Sequence, residues 1–417
     1  MGLAPERDQE VEVKYFDWGS AEQFPCPTIL DTSLREGMQG VLGRYPTLEE
    51  KLRLVELLLE VGVDAFDLGF PGADSDQQTQ AQQLARYLAG RRVGARLVCL
   101  ARARVEDVAA VVEVSQAAGV KLEVLIYIGT SSTRLLVEQS NIHDLVASTT
   151  LAVKFAGQHG LHVNFACQDA TRSEPGLLRL LYTTALEGGA ARLTLPDTVG
   201  VGNALSTTRL VKYVRDYVIR GRLVGLDWHG HNDRGLALSN ALAAAAAGAN
   251  CLHSTVLGIG ERCGAVALEP LLLNLHHLCG QHYNLEALPR LAGYAAAILG
   301  EPLPPRQPLV GANAFAIVGG AQSEPILKAA SLGRADLVST IYSGVDPRLV
   351  GRATELQVGP LSNSTNVMWK ATQLGFPFSQ ELATQVLAAA RDRQRLLRDD
   401  ELRDLAACLS QQPAEQV

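Results

Sequence analysis

Short apolar runs alternate with longer amphipathic ones along most of the chain. The short runs read as strands: Thr28–Asp31, Ala65–Phe70, Arg96–Leu100, Glu123–Ile128, His162–Ala166, Arg192–Leu195, Val224–Trp228 and Cys251–Val256. Between them, Thr47–Val61, Gln78–Leu88, Val105–Ala118 and Thr207–Ile219 place apolar residues at the helical period. Glycine follows several of these helices, as in Val61-Gly62, Ala118-Gly119, Gly188-Gly189 and Ala247-Gly248, where it suits a left-handed cap. Strands alternating with helices predict a parallel sheet. Eight such units over about 260 residues predict an α/β fold closed into a (β/α)8 TIM barrel, with an open doubly wound sheet as the alternative.

Past Leu285 the pattern changes. Pro302, Pro304, Pro305 and Pro308 read as a linker, and the rest is expected to be mostly helical. Leu382–Leu405 has the spacing of one or two amphipathic surface helices. The expected organisation is an N-terminal segment over 1–22, a barrel over 23–285 and a helical C-terminal extension with its linker over 286–417. The last few polar residues are expected to fray.

Composition narrows the class of function. A length of 417 residues accommodates a barrel of roughly 250 residues and a second, smaller unit. A hydrophobic fraction of 47% is that of an ordinary globular protein. A net charge of −7 with no Lys/Arg-rich run argues against a nucleic-acid partner. No apolar stretch reaches the ~18 residues of a membrane span. The charged start, Met1–Glu12, lacks the apolar core of a signal peptide. Seven cysteines with no CxxC pair read as buried thiols in a reducing cytoplasm.

In a barrel of this kind the chemistry sits at the C-terminal ends of the strands. After the first strand stand Arg35 and Glu36, an adjacent cation and carboxylate. Such a pair serves as metal ligand and carbonyl polariser, or as a plain surface ion pair. After the seventh strand comes His229-Gly230-His231, two imidazoles on the same face of extended backbone. With a carboxylate they suit a shared divalent metal, Mn²⁺, Zn²⁺, Fe²⁺ or Co²⁺, with Mg²⁺ favoured by more carboxylate and water. Two hydrogen-bonded loop histidines are the plainer alternative. Thr198, after the sixth strand, offers a hydroxyl and an N–H to a carboxylate, or caps a helix. Gly258-Ile259-Gly260-Glu261-Arg262, after the eighth, allows close backbone approach to a ligand, or makes a turn. Each segment follows a different strand on one face, so the four reinforce one another.

These segments resemble the signatures of the barrel family that includes 2-isopropylmalate, homocitrate and citramalate synthases. Asp31-Thr32-Ser33-Leu34-Arg35-Glu36-Gly37-Met38-Gln39 is similar to its first-strand motif. Pro196–Gly200, His229–Asn240 and Gly258–Arg262 resemble those of the sixth to eighth strands, and Gly69-Phe70-Pro71 resembles a segment of the isopropylmalate synthases. Gly311–Ala316, Tyr342 and Asp346–Gly351 resemble the helical subdomain. The resemblance implies that Glu36, His229 and His231 bind a divalent metal (Mn, Mg, Zn or Co). It implies that Arg35 binds the keto oxygen of a 2-oxo acid, that Thr198, Gln39 and Arg172 bind the substrate, and that acetyl-CoA or another acyl-CoA is the cosubstrate. It also implies a homodimer, in which the helical region reaches over the partner's barrel.

Four positions depart from the family pattern. Ile317 and Gln322 stand where the synthases carry histidines, Gln168 where they carry an acid, and Ala265 where many carry asparagine. An amide cannot serve as a base, and isoleucine can neither donate nor accept a proton. Tyr342 and Gln168 are the remaining candidates for the catalytic work beside Arg35. The first expectation is a Claisen-type acyltransferase with an altered base or substrate. The others are a carbon–carbon lyase or aldolase using the same metal-enolate chemistry, and a non-catalytic paralogue.

Overall fold

The computed structural model describes residues 24–91 and 94–410. The expected N-terminal segment, 1–22, lies outside them, as does the polar tail past 410. Eight strands close into a parallel barrel in sequential order. They are β1 (Thr28–Asp31), β2 (Ala65–Asp67), β3 (Arg96–Arg102), β4 (Glu123–Gly129), β5 (His162–Gln168), β6 (Arg192–Asp197), β7 (Gly225–Gly230) and β8 (Cys251–Ser254). The barrel closes where β1 pairs with β8, Thr28 facing Cys251 and Asp31 facing Ser254. The open-sheet alternative is excluded.

Helices wrap the outside, and their ends follow local chemistry. Thr47 and Glu50 form a reciprocal capping box at the start of Leu48–Val61, and Gly62 closes that helix at φ 106°. Two strands stop earlier than their apolar runs suggest. β2 ends at Asp67, whose side chain accepts from the Gly69 N–H and turns the chain. β8 ends at Ser254, where Thr255 N–H bonds Val266 O in its own loop instead.

Inward-facing side chains fill the barrel. At the strand starts, Arg96 and Arg192 pair with Asp227, and Arg96 also with Glu123. Asn164 donates to both carboxylates at 3.1 Å. An apolar group made of Leu30, Ala65, Val98, Leu125, Ala166 and Cys251 packs in the same interior. A larger core lies between the strands and the helices and contains Phe66, Phe165, Tyr182 and Trp228. It continues through Leu288–Leu299 to Phe315 and Val350, so no break in packing falls at residue 285.

The C-terminal region is mostly helical. A two-stranded parallel ribbon, Ala316–Ile317 with Glu355–Leu356, joins helices Gly320–Ser331, Ala335–Thr340, Ser364–Leu374, Gln380–Arg393 and Asp399–Ser410. The last three close a core of their own around Val367, Leu382, Val386 and Leu402. No described helix is long and apolar enough to cross a membrane. The cysteines are all free, but only Cys99, Cys167 and Cys251 are buried; Cys26, Cys263 and Cys408 are exposed, against the expectation of buried thiols.

Candidate metal centre and barrel-mouth cavity

His229 is the next-to-last residue of β7, and His231 lies one residue beyond it. Both imidazoles turn into the mouth, with Nε2 atoms 3.3 Å apart. Glu36 meets them from the turn after β1, held there by its N–H on Thr32 O at 2.8 Å. Its Oε1 lies 3.5 Å from His231 Nε2, and its Oε2 4.0 Å from His229 Nε2. No side chain of the three is more than 12% exposed. Glu36 Oε1 has no hydrogen-bond partner, although it is buried. An orphaned carboxylate oxygen facing two imidazoles is costly unless a cation completes it. One carboxylate and two imidazoles whose ligand atoms all lie within 4.8 Å fit a divalent ion. Burial foremost, then the charges of His231, His253 and Arg35, pushes His229 well below the usual imidazole range, which favours the neutral form a ligand needs.

Arg35 stands beside this group. Its Nε donates to Asp67 Oδ2 at 2.5 Å and its Nη1 to Glu36 Oε2 at 3.1 Å. Burial opposes its charge, but Asp67 and Glu36 outweigh burial and keep the guanidinium protonated. Its Nη2 has no partner among the described residues, which leaves donors for a bound oxygen. A cavity of about 180 Å³ opens over these groups. Arg35, Glu36, Gln39, Gln168, Thr198, His229 and His231 all line it, together with Glu261 and His253.

The loops that carry these residues are tied together. Thr198 Oγ1 accepts from Asp169 N–H at 2.9 Å, so its own hydroxyl proton remains to be donated. Arg262 donates to Asp233 Oδ1 at 2.7 Å and to Thr198 O at 2.8 Å, joining the loops after β6, β7 and β8. Gly264, at φ 80°, brings the last loop so close to itself that a Cβ there would sit 1.8 Å from Gly258 O.

Residues 26–293, the barrel and two following helices at most, match the HMGL-like family. The chain belongs to the HMGL-like family. It is 32% identical over 367 residues to a probable 2-isopropylmalate synthase of Methanopyrus kandleri, covering 87% of this chain and 69% of that protein. It is 31% identical to the homocitrate synthase AksA of the same organism, covering 90% and 91% of the two chains. A solved hydroxymethylglutaryl-CoA lyase from Pseudomonas aeruginosa superposes with a TM-score of 0.57 at 25% identity, covering 67% of this chain and 95% of that one. The synthase resemblance read from the strand-end segments holds over most of the chain.

Two residues of this HMGL-like chain stand apart from the cavity. Arg172 turns onto Asp169, with Nε 2.9 and 3.0 Å from its two oxygens, and lines no part of the mouth. Tyr342 faces a separate small pocket in the C-terminal region, which it shares with Phe315, Ile317 and Thr354. Gln168 does line the mouth, and Arg134 Nη1 donates to its Oε1. A guanidinium only donates, so the amide oxygen is taken and the amide N–H groups are what Gln168 has left to offer. Arg134 passes over the bare Cα of Gly129, where a Cβ would meet Arg134 Cδ at 2.3 Å.

Sequence reasoning missed Asp67, Asp227 and His253. Asp67 orients Arg35. His253 Nε2 lies 3.2 Å from Asp227 Oδ2, and its ring centroid is 5.5 Å from that of His229. Burial would raise the Asp227 pKa, but Arg96, the His253 hydrogen bond and Arg192 outweigh it and keep the carboxyl ionised. Asp227, Cys251 and His253 also cluster closely enough for an ion. Asp227 is already satisfied by two arginines and Asn164, so that cluster is a charge network of the barrel floor. The available signal was strand alternation: Cys251 and His253 share one face of β8.

Proposed function

We propose that the chain catalyses a divalent-metal-dependent Claisen-type condensation of an acyl-CoA, acetyl-CoA foremost, with a 2-oxo acid. The acyl methyl group loses a proton and its carbon bonds the keto carbon. The keto oxygen takes up a proton, and water cleaves the thioester to give a 2-hydroxy dicarboxylate and the CoA thiol. The buried, unsatisfied Glu36 Oε1 beside two imidazoles and a cationic Arg35 carries this reading. The synthase relatives support it. An ion of Mn²⁺, Mg²⁺, Zn²⁺ or Co²⁺ held by Glu36, His229 and His231 would supply Lewis acidity at the keto oxygen. Arg35 offers Nη2 to the oxyanion that develops there. Thr198 donates its hydroxyl to the 2-oxo acid's carboxylate, and Gln39 borders the same space. Gln168 presents N–H groups to an oxygen and moves no proton. Tyr342 lines no part of its own chain's mouth, so in this reading a second copy supplies it in a homodimer.

A second reading is carbon–carbon cleavage. Gln168 and Ile317 remove acid–base groups from the acyl-CoA side, and the lyase likeness points the same way. The deciding experiment is thiol release by purified protein with acetyl-CoA, Mn²⁺ or Mg²⁺, and a panel of 2-oxo acids. Thiol that appears only with a particular 2-oxo acid supports condensation. No thiol with any of them, together with cleavage of a 3-hydroxyacyl-CoA, would replace it with the lyase reading.

A further inference from the structure

We propose that Cys26 and Cys279 are a redox-active pair, which glutathione disulfide oxidises to a disulfide bond that fastens the seam of the barrel. The inference stands apart from the reaction read at the mouth.

The barrel closes where β1 meets β8, while every other pairing joins strands consecutive in the sequence. Hydrogen bonds between distant segments hold this seam, among them Thr28 N–H to Asn250 O at 3.0 Å. Two cysteines meet beside it. Cys26 lies two residues before β1, and Cys279 is the last residue of Leu268–Cys279, the helix that follows the β8 loop. The Cys26 thiol donates to Cys279 O at 3.1 Å, across 253 positions of chain. It also meets the Cys279 thiol, through a hydrogen bond and through charge. Cys26 is exposed and Cys279 half-buried, so both are within reach of a small oxidant, whereas Cys99, Cys167 and Cys251 are buried. Among the described residues, no His, Asp or Glu completes a three-ligand cluster with the pair, so their contact is one of thiol with thiol.

The two thiols differ in what they can do. Burial foremost, then the hydrogen bond and charge of the Cys26 side chain, pushes the Cys279 thiol up to about 11. Cys279 is therefore a poor first nucleophile, and the exposed Cys26 takes that part. The Cys26 thiolate attacks one sulfur of glutathione disulfide, and one glutathione thiolate leaves. Cys279 then gives its proton to solvent and attacks the Cys26 sulfur, which expels the second glutathione. In this mixed disulfide Cys26 has no thiol left to hold the Cys279 proton. The two cysteines lose two hydrogens and two electrons, and one glutathione disulfide becomes two thiols. The new bond encloses all eight strands in one covalent ring. A cross-link over so long a loop restricts the unfolded chain more than a short one does.

The test oxidises the native full chain with glutathione disulfide at about pH 8, alkylates the remaining thiols and maps the peptides by mass spectrometry without reduction. We expect a linked Cys26–Cys279 peptide from single chains, which dithiothreitol returns to two free thiols. Oxidation should raise the melting temperature by roughly 5 °C. In Cys279→Ser, Cys26 should keep one glutathione, and the melting temperature should stay where it was. In Cys26→Ser, Cys279 should be recovered alkylated and unlinked. Unchanged far-UV circular dichroism checks that both variants fold. Recovery of Cys26 from the parent chain only as its glutathione adduct, or bonded to a second chain, overturns the pair. A linked pair with no rise in melting temperature overturns the fastening of the seam.

Discussion

Replacing His231 by alanine takes one of three ligand atoms from the group it forms with Glu36 and His229. Loss of an outer-shell partner alone weakens a metal site about 10–100-fold. His231→Ala should therefore weaken Mn²⁺ binding by more than about 100-fold and abolish turnover. Undiminished metal affinity in calorimetry would remove the assignment. A second residue-scale prediction concerns Glu269, which burial pushes up to about 7 despite hydrogen bonds that include the Leu257 N–H at 2.9 Å. Its folded pKa thus stands above the ordinary 4.5, and the folded chain binds the extra proton in between. Its contribution to stability is therefore present at low pH and lost as pH rises from the ordinary value through 7. Glu269→Gln should flatten the decline in melting temperature between about pH 5 and pH 7. Arg35, Glu36, His229 and His231 were legible in the sequence because they form compact segments at strand ends. Asp67 and Asp227 were not, because each is one acid inside an apolar strand. Asp67 meets Arg35 from 32 positions away, and Asp227 meets Arg96 from 131.

Among the elements, all eight strands were legible, because a strand buried on both faces is written as an apolar run. Their C-terminal ends were less so. Hydropathy continues through Leu68–Phe70 and through Val256, but hydrogen bonds at Gly69 and Thr255 divert the chain into loops. Those diversions set where the site residues stand. The loop after β8 depends on Gly264, where a side chain meets both a positive φ and the Gly258 carbonyl. Gly264→Ala should lower stability by about 1–3 kcal/mol in denaturant melts. It should also reduce turnover, since this loop carries Glu261 and Arg262. Unchanged melting would show that the loop relaxes without strain.

For the whole molecule, the barrel and the C-terminal region carry different parts of the proposed chemistry. The mouth holds Arg35, while Tyr342 faces its own pocket in the helical part of the same chain. If a homodimer brings the two together, Arg35→Ala and Tyr342→Phe chains, each inactive alone, should regain activity when mixed. Random assembly leaves about one mouth in four with both groups intact. No recovery from hybrids shown to form by native mass spectrometry would confine catalysis to a single chain. The family resemblance of the helical region implied a homodimer, but adjacency in a motif says nothing about which mouth a residue serves.

The charge network of Arg96, Glu123, Asn164, Arg192 and Asp227 spans the strand starts and closes that end of the barrel. The barrel is therefore a cup with one opening. Whatever enters first is covered by what enters second, and nothing leaves from underneath. On the proposed reaction, traffic through that opening is last in, first out: the 2-oxo acid settles at the bottom before the acyl donor, and the CoA thiol departs before the new acid can follow.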